Sequence, residues 1–400
     1  MTGRTAYPAR VAVVGASAAG LACAEGLRRQ GFDGRVTLVG EEREPPYDRP
    51  PLSKQLLSGA WPADRLLLRD AAALDALGLE LMLGRRAVAL DTRRREVVLD
   101  GGRRIGCDAV VVATGLRPRW LPGAQGVHGV HVLRTLADAV ALRAALSGGG
   151  RLVVAGGGFI GAEVAAAARS SGCETTVVTP AEALLADAVG PRIGALLTAV
   201  HREHGVRVVT GARAGALIVR SGRVTGVRLG DGRRLPADTV LLGVGGTPNA
   251  EWLAGSSVPT GDGVVCDEAL RAAPGVWACG DVAAWPDPYG GAPRRVEHRT
   301  NASEQGLAVA RALLAGDGPV TPFRSVPYLW SDQYGLRLQV YGRPRGADRF
   351  RVVDGDPAEH RFTALFGRGG RVCAAAGMGL PGPLRALRAL VAERAAWPAR

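Results

Sequence analysis

The chain has 400 residues, 47% of them hydrophobic, with 57 glycines, 25 prolines and a formal net charge of +13. Such a length supports two or three domains, each with its own core, and no apolar stretch approaches the roughly 20 residues needed to span a bilayer. The positive balance suits an acidic partner. The arginines are nevertheless spread along the chain with no basic run interleaved with aromatics, which argues against nucleic acid.

The first ten residues, MTGRTAYPAR, lack the apolar run of a secretory leader. Six cysteines (Cys23, Cys107, Cys173, Cys266, Cys279 and Cys373) are too scattered for a CxxC pair or a zinc knuckle. A cytoplasmic protein with reduced thiols and no metal is expected.

RVAVVGASAAGLACAEGLRRQGFDGRVTLVGEE, residues 10–42, reads as strand, tight turn, helix and strand, with apolar β-branched runs on either side of a helical period. A glycine-rich turn between strand and helix lets a pyrophosphate approach the backbone and sit on the helix N-terminus. Here the turn is Gly15-Ala16-Ser17-Ala18-Ala19-Gly20, with Ser17 where a middle glycine is expected. Glu41 follows Gly15 by 26 residues, at the end of the next strand, where a carboxylate can bind both ribose hydroxyls of an adenosine.

Next comes YDRPPLSK, residues 47–54, which ends in Lys54, the single lysine among 50 lysines and arginines. A compact ammonium and a planar guanidinium are not interchangeable, so this lysine stands here either by chance or because the position needs a compact charge that a guanidinium cannot replace. Further on, LDGGRRIG is a glycine-rich hairpin, and DAVVVATGLRP is a strand ending in small residues.

RLVVAGGGFIGAEVAAAARSSGCETTVVTP, residues 151–180, repeats the same grammar with a complete Gly156-x-Gly158-x-x-Gly161. Thr179 stands where an acid would be, and neither Arg169 nor Arg192 is obviously placed to take a 2′-phosphate, so the choice between NADH and NADPH stays open. His201-x-x-His204 has a spacing a metal could use but no third ligand nearby, and reads as the end of a surface helix before Gly205. The hairpin LGDGRRLP and the strand DTVLLGVGGTPN complete the repeat. WACGDVA is an apolar strand ending in Gly280-Asp281, where an acid can bind the sugar-alcohol chain of a flavin. From about residue 321 the pattern turns strand-like (GLRLQVYGR, RFRVVDG, RFTALFGRGGRVCAAAG), closed by a helix, PLRALRALVAER.

The fold class expected is α/β: two Rossmann-like, glutathione-reductase-type nucleotide-binding domains plus a C-terminal α+β domain.

VVGASAAG, YDRPPLSK, VVVATGLRPR, VLRTLADA, VVAGGGFIGAEVA, ACGDVA, VEHRTNASEQG and PYLWSDQYGLRLQ together make the chain resemble the FAD-dependent, NAD(P)H-dependent ferredoxin reductases that serve cytochrome P450s and ring-hydroxylating dioxygenases, of the putidaredoxin and rhodocoxin reductase type. The resemblance covers essentially the whole chain, and YDRPPLSK and LWSDQYG are its most specific parts. This resemblance implies a split FAD-binding domain over residues 1–115 and 246–320, an inserted NAD(P)-binding domain over 116–245 and an interface domain over 321–400. It implies FAD held by Gly15, Ala16, Ser17, Gly20, Glu41, Arg49, Lys54, the Val88 backbone, Arg134, Gly280, Asp281, Glu297 and the Arg299 backbone. Trp330 would lie against the isoalloxazine on the route to the iron–sulfur partner. It implies NADH, with NADPH open, held by Gly156, Gly158, Ile160, Gly161, Glu163, Thr179 and Gly245.

Lys54, paired with Glu163, would sit beside flavin N5 and stabilise the reduced, anionic ring. Lys54, Glu163 and Trp330 are thus the expected catalytic residues. The implied acceptor is a [2Fe-2S] ferredoxin, acidic in character, feeding a P450 or dioxygenase. The reductase would be a monomer or weak dimer without membrane or nucleic-acid partners. A rubredoxin reductase or a reductase for another acceptor is the alternative within the class, and a flavin redox sensor without turnover the alternative outside it. A disulfide reductase needs a redox cysteine after the second strand, and none lies between Gly40 and Leu90.

Overall fold

Runs of valine and alanine that never alternate with polar residues build the first sheet. RVAVV (Arg10–Val14), RVTLV (Arg35–Val39), AVVV (Ala109–Val112) and VWA (Val276–Ala278) are buried along nearly their whole length, as parallel strands covered on both faces must be. A computed structural model describes residues 8–287, 292–316, 318–319 and 321–397. Residues 1–7, on which most of the leader reading falls, and 320, the expected domain edge, lie outside the described residues.

The described chain divides into two compact units. The first comprises Met1–Asp48, Leu66–Arg117 and Thr247–Ser325, within the described limits, and the second Arg49–Arg65, Pro118–Gly246 and Val326–Arg400.

In the first unit the six-stranded sheet runs in the order Arg271–Ala273, Val276–Ala278, Ala109–Val112, Arg10–Val14, Arg35–Val39, Glu80–Met82. Arg10–Val14 is central, and the chain moves to one side of it first and to the other later. That reversal opens a crevice at the carboxyl ends of the strands, the usual place for a nucleotide in such a sheet. Helix Ala18–Arg29 shares its core with helix Arg299–Ala315, and an antiparallel meander over 87–106 adds Val97 and Leu99. The hairpin read from LDGGRRIG is the turn between its last two strands. Where the chain leaves and re-enters this unit, Thr114 Oγ1 donates to the Asn249 carbonyl at 2.6 Å and Asn249 Nδ2 donates back at 3.0 Å.

The second unit repeats the plan. Its five-stranded parallel sheet has the order Arg207–Val209, Glu174–Val178, Arg151–Ala155, Thr239–Leu242, Val130–His131. Thr135 and Asp138 form a capping box that starts helix Leu136–Leu146.

The C-terminal part is a five-stranded antiparallel sheet, in the order Tyr328–Gln333, Leu336–Gly342, Arg371–Met378, Arg361–Arg368, Arg349–Asp356. Its period of two separates the faces, shifted by one residue at a bulge between Val372 and Ala374. Phe362, Ala364, Phe366, Ala374 and Ala376 pack with Ile193 and Leu197 of helix Pro191–Glu203, whereas Leu365, Val372 and Ala375 face Leu384 and Val391 of helix Pro381–Ala392. The chain is therefore an α/β protein with two Rossmann-like sheets and a distinct C-terminal α+β domain. Among the described residues no helix is long and apolar enough to cross a membrane.

Candidate nucleotide and redox site

The two glycine turns obey one set of steric rules. Gly15 and Gly156 both have φ +120°, and a Cβ on them would lie 2.1 Å from the Ala113 carbonyl oxygen and 2.2 Å from that of Gly243. A Cβ on Gly20 or Gly161 would lie 1.9 or 2.0 Å from the oxygen of the first glycine of its own turn. Outer glycines are thus dictated by backbone. The middle position is different: a Cβ on Gly158 meets nothing within 4 Å. That open space is where a pyrophosphate can approach, and it explains why Ser17 can stand at the matching position of the first turn. Ser17 and Gly158 are the N-caps of their helices, and neither cap is closed by a side-chain hydrogen bond. The first-turn N–H groups of both helices face the turn as ready anion donors.

In the first unit Ala16 is half-buried behind Gly40, and Glu41 is exposed, its carboxylate 3.9 Å from Arg86 Nε. Val88 is 47% exposed. Gly280 and Asp281 open the short turn after Val276–Ala278, so they lie with Gly15 at the carboxyl edge of one sheet. Arg295, which sequence reasoning missed, braces this turn. Its guanidinium donates to the Asp281 carbonyl at 3.0 Å, to Glu297 at 2.8 Å and to Asp262 at 3.0 Å. The Arg299 side chain is committed to Asp48 and to Ser303, while its backbone is the first residue of helix Arg299–Ala315.

Three buried polar atoms near the start of that helix, His298 Nδ1, Asn301 Oδ1 and Gln305 Nε2, have no partner among the described residues. Gln305 Oε1 accepts the Gly280 N–H at 2.7 Å. Unpaired buried polar atoms are costly, and a polar cofactor beside Gly280–Asp281 would satisfy them.

In the second unit a cavity of about 410 Å³ is lined by Gly156, Gly157, Gly158, Phe159, Thr179 and Arg213, among others. Thr179 is only 3% exposed and packs against Gly157. Ile160 and Gly245 are exposed. Arg213 lies on this wall, and nothing in the local pattern announced it. The two arginines weighed from sequence have other work: Arg169 caps a helix end through the His204 and Cys173 carbonyls, and Arg192 lies over the Phe350 ring.

The same unit contains Lys54. Its side chain is 10% exposed and its Nζ donates to Glu163 Oε2 at 2.7 Å. Lys54 follows the short helical turn Pro50–Ser53, and Glu163 stands in the second turn of helix Phe159–Ser170. Ser53 also donates to Oε2, and Ser331 donates to Oε1 at 2.7 Å. A buried pair is tolerated when its remaining lone pairs are filled, and here they are. Arg49 donates to the Arg134 carbonyl. Trp330 is half-buried and stacks with Tyr328 at 5.8 Å, on the opposite face of its strand from Ser331.

His201-x-x-His204 is corrected by the structure. The pair does end a helix, Pro191–Glu203, but His201 is fully buried rather than on a surface face. Its Nε2 is 2.7 Å from Gln333 Oε1, and its Nδ1 is 3.0 Å from the Tyr334 hydroxyl.

The pattern of the pyridine nucleotide-disulphide oxidoreductases matches residues 9–306, and that of the reductase C-terminal domain matches 328–400. The chain belongs to the pyridine nucleotide-disulphide oxidoreductase family. It is 39% identical over 387 residues to the ferredoxin–NAD(+) reductase component of the anthranilate 1,2-dioxygenase system of Burkholderia cepacia, covering 96% of this chain and 94% of that one. Identity to putidaredoxin reductase of Pseudomonas putida is 36% over 391 residues, covering 96% and 92%. A chain of the crystallised covalent putidaredoxin reductase–putidaredoxin complex superposes with a TM-score of 0.90 at 35% identity, covering 96% and 93%. These similarities make the protein an NAD(P)H-dependent FAD oxidoreductase of the ferredoxin-reductase type.

The family name mentions disulphides, but all six cysteines of this oxidoreductase are free and five are buried. Burial pushes the Cys23 and Cys266 thiols up to about 12, far from the thiolate that exchange chemistry needs.

Two histidines make the fold acid-sensitive. Burial lowers His201 and His298 from 6.5 to about 4, against smaller opposing effects of the Gln333 hydrogen bond and the Asp281 charge. Between those values the unfolded chain binds more protons than the folded one, so stability falls as pH falls. Calorimetry should find Tm level above about pH 7 and declining from about pH 6.5 toward 4. A level Tm down to about pH 5 would contradict burial of the neutral rings.

Proposed function

We propose that this oxidoreductase takes electrons from NADH and delivers them to an acidic [2Fe-2S] ferredoxin that supplies a P450 or ring-hydroxylating oxygenase. The observation that carries the reading is the sole lysine of the chain, nearly buried and locked onto Glu163, which follows the last glycine of the complete coenzyme turn by two residues. Relatives named as ferredoxin–NAD(+) reductase components of dioxygenase systems, and the putidaredoxin complex, support the choice of acceptor. The charge of +13 suits an acidic one.

When bound, FAD supplies the conversion of a two-electron donor into one-electron deliveries. The residues present fit it. The Gly15–Gly20 turn and the open N-terminus of helix Ala18–Arg29 would take the diphosphate, Glu41 the adenosine ribose, and the Val88 backbone the adenine. Asp281 would hold the ribityl chain. In the same unit the Arg299 backbone N–H, left without a helical acceptor, and Glu297 would complete the contacts, while Arg49, Arg134 and Trp330, in the other unit, carry the roles that the family resemblance implies. Lys54 would hold a positive charge where negative charge develops, with Glu163 orienting it. Gly156, Gly158, Ile160, Gly161 and Gly245 would hold the nicotinamide coenzyme.

The test is cytochrome c reduction with a panel of ferredoxins, NADH and NADPH. Reduction that needs a [2Fe-2S] ferredoxin supports the reading. Equal rates with rubredoxin, or none with any ferredoxin, would move the function to another acceptor.

Coenzyme choice carries its own expectation. Thr179 is neutral and Arg213 is a cation on the same cavity wall, and Asp187, the acid on that wall, is paired with Arg345 at 3.1 Å, so the position that usually selects the coenzyme carries no charge to repel a 2′-phosphate. NADPH should be accepted, and Thr179→Glu should lower kcat/KM for NADPH about ten- to a hundredfold while NADH changes little. A wild type that already rejects NADPH by that margin would place selection at another residue.

A further inference from the structure

Glu163 is the end of a longer chain of hydrogen bonds. Ser331 Oγ donates to Glu163 Oε1 at 2.7 Å, and Gln333 Nε2 donates to Ser331 Oγ at 2.9 Å. Gln333 Oε1 then meets His201 Nε2 at 2.7 Å, and His201 Nδ1 meets the Tyr334 hydroxyl at 3.0 Å. Glu163, Ser331, Gln333 and His201 are all 4% exposed or less.

The direction of every proton is fixed by elementary chemistry. An ionised carboxylate only accepts, so Ser331 must give its single proton to Glu163. Ser331 Oγ can then only accept from Gln333, which turns the amide so that its Nε2 points to Ser331 and its oxygen to His201. An amide oxygen only accepts, so His201 must carry its proton on Nε2. Its Nδ1 is then bare and accepts from Tyr334. Four successive donors therefore point toward one carboxylate, a polarised arrangement in which each bond strengthens the next. At the outer end Tyr334 stacks on His204 at 3.8 Å.

We propose that Gln333 and His201 are positioning residues for the Lys54–Glu163 pair: the chain they form holds the Glu163 carboxylate in one rotamer, and so fixes the ammonium of Lys54. The inference rests on the reading of Lys54 and Glu163 given above. It assigns a task to the Ser and Gln of LWSDQYG that is separate from Trp330, whose side chain leaves the strand on the other face.

Gln333→Met keeps the length and removes both hydrogen bonds. Stopped-flow reduction of the FAD-loaded enzyme at saturating NADH should slow about five- to twentyfold, with NADH affinity within about twofold. Affinity is spared because neither Gln333 nor His201 lines the coenzyme cavity. In a Glu163→Gln background the same substitution should cost less than about twofold, because the carboxylate that orders the chain is gone. Nitrogen-15 spectra of labelled imidazole give a readout independent of turnover: His201 should be neutral and protonated on Nε2, and Gln333→Met should abolish that preference. Tyr334→Phe, which keeps the ring and removes only the outermost donor, should shift both readouts in the same direction by less. It serves if Gln333→Met does not fold.

An equal penalty for Gln333→Met in both backgrounds, or a wild-type His201 protonated on Nδ1, would overturn the proposal. If Lys54→Met and Glu163→Gln themselves reduce at the wild-type rate, the reading of the pair falls, and this inference with it.

Discussion

Lys54→Met is expected to slow bleaching of the bound flavin by NADH about 30- to 1000-fold and to leave FAD in place. The expectation follows from where the charge stands. The lysine side chain is 10% exposed and its carboxylate partner 4%, so little water screens the ammonium, and one positioned charge in such a site is worth about 2–4 kcal/mol to a transition state. Methionine fills the slot without the charge. Glu163 keeps the hydroxyls of Ser53 and Ser331 as donors, which lets the fold tolerate the change at some cost in Tm. Lys54→Arg is the sharper comparison. A guanidinium keeps the charge but is longer and planar, and the pocket is already filled by Glu163, Ser53 and the turn at Pro50–Ser53. It should also slow reduction, through misplacement. Glu163→Gln combined with Lys54→Met should cost less than the sum of the two single changes, since the residues act together. Wild-type reduction by Lys54→Arg would mean that the lone lysine has no special task.

What the sequence disclosed depended on how far apart the cooperating residues lie. The glycine turns and the internal repeat were legible because each depends on a short stretch whose backbone geometry allows few residue types. The need for glycine at Gly15 and Gly156 is local steric fact. The surroundings of Glu163 were not legible. Ser331 is 168 residues from Glu163, and Gln333 is 132 from His201, so no local pattern marks His201 as buried. On helix Pro191–Glu203 a histidine next to His204 and Gly205 looks like a helix end, and only the strand Tyr328–Gln333 turns it inward. Arg213 was missed for the same reason: it stands in a loop well beyond Thr179 in sequence, and only the fold brings the two to one cavity wall. Arg169 and Arg192 were nearer in the repeat but point to a helix cap and to a ring. The octapeptide YDRPPLSK matched its family as one motif, yet Tyr47 and Asp48 belong to the first compact unit and Arg49–Lys54 to the second. A continuous motif need not be a single structural piece.

Asp281→Ala should release FAD on dilution, weakening its binding about ten- to a hundredfold, the loss expected when a hydrogen bond to a charged group is removed. The aspartate opens the turn Gly280–Val282 after a fully buried strand, at the same sheet edge as Gly15. Arg295 braces its carbonyl at 3.0 Å, which holds the turn while the side chain does its work. Nearby, His298 Nδ1, Asn301 Oδ1 and Gln305 Nε2 are buried without partners among the described residues, and filling them is a second source of cofactor affinity that Asp281→Ala leaves intact. The mutant should therefore bind FAD weakly rather than not at all, and excess FAD should restore both the yellow colour and the reduction rate. Arg295→Ala separates the two contributions. Without its brace the turn can shift, so the cofactor should weaken even though Asp281 is present. Equilibrium dialysis of both variants against FAD reads the effect directly. Retention of FAD by Asp281→Ala as tight as in the wild type would remove the ribityl assignment from this residue and leave the orphaned polar atoms of helix Arg299–Ala315 as the main anchor.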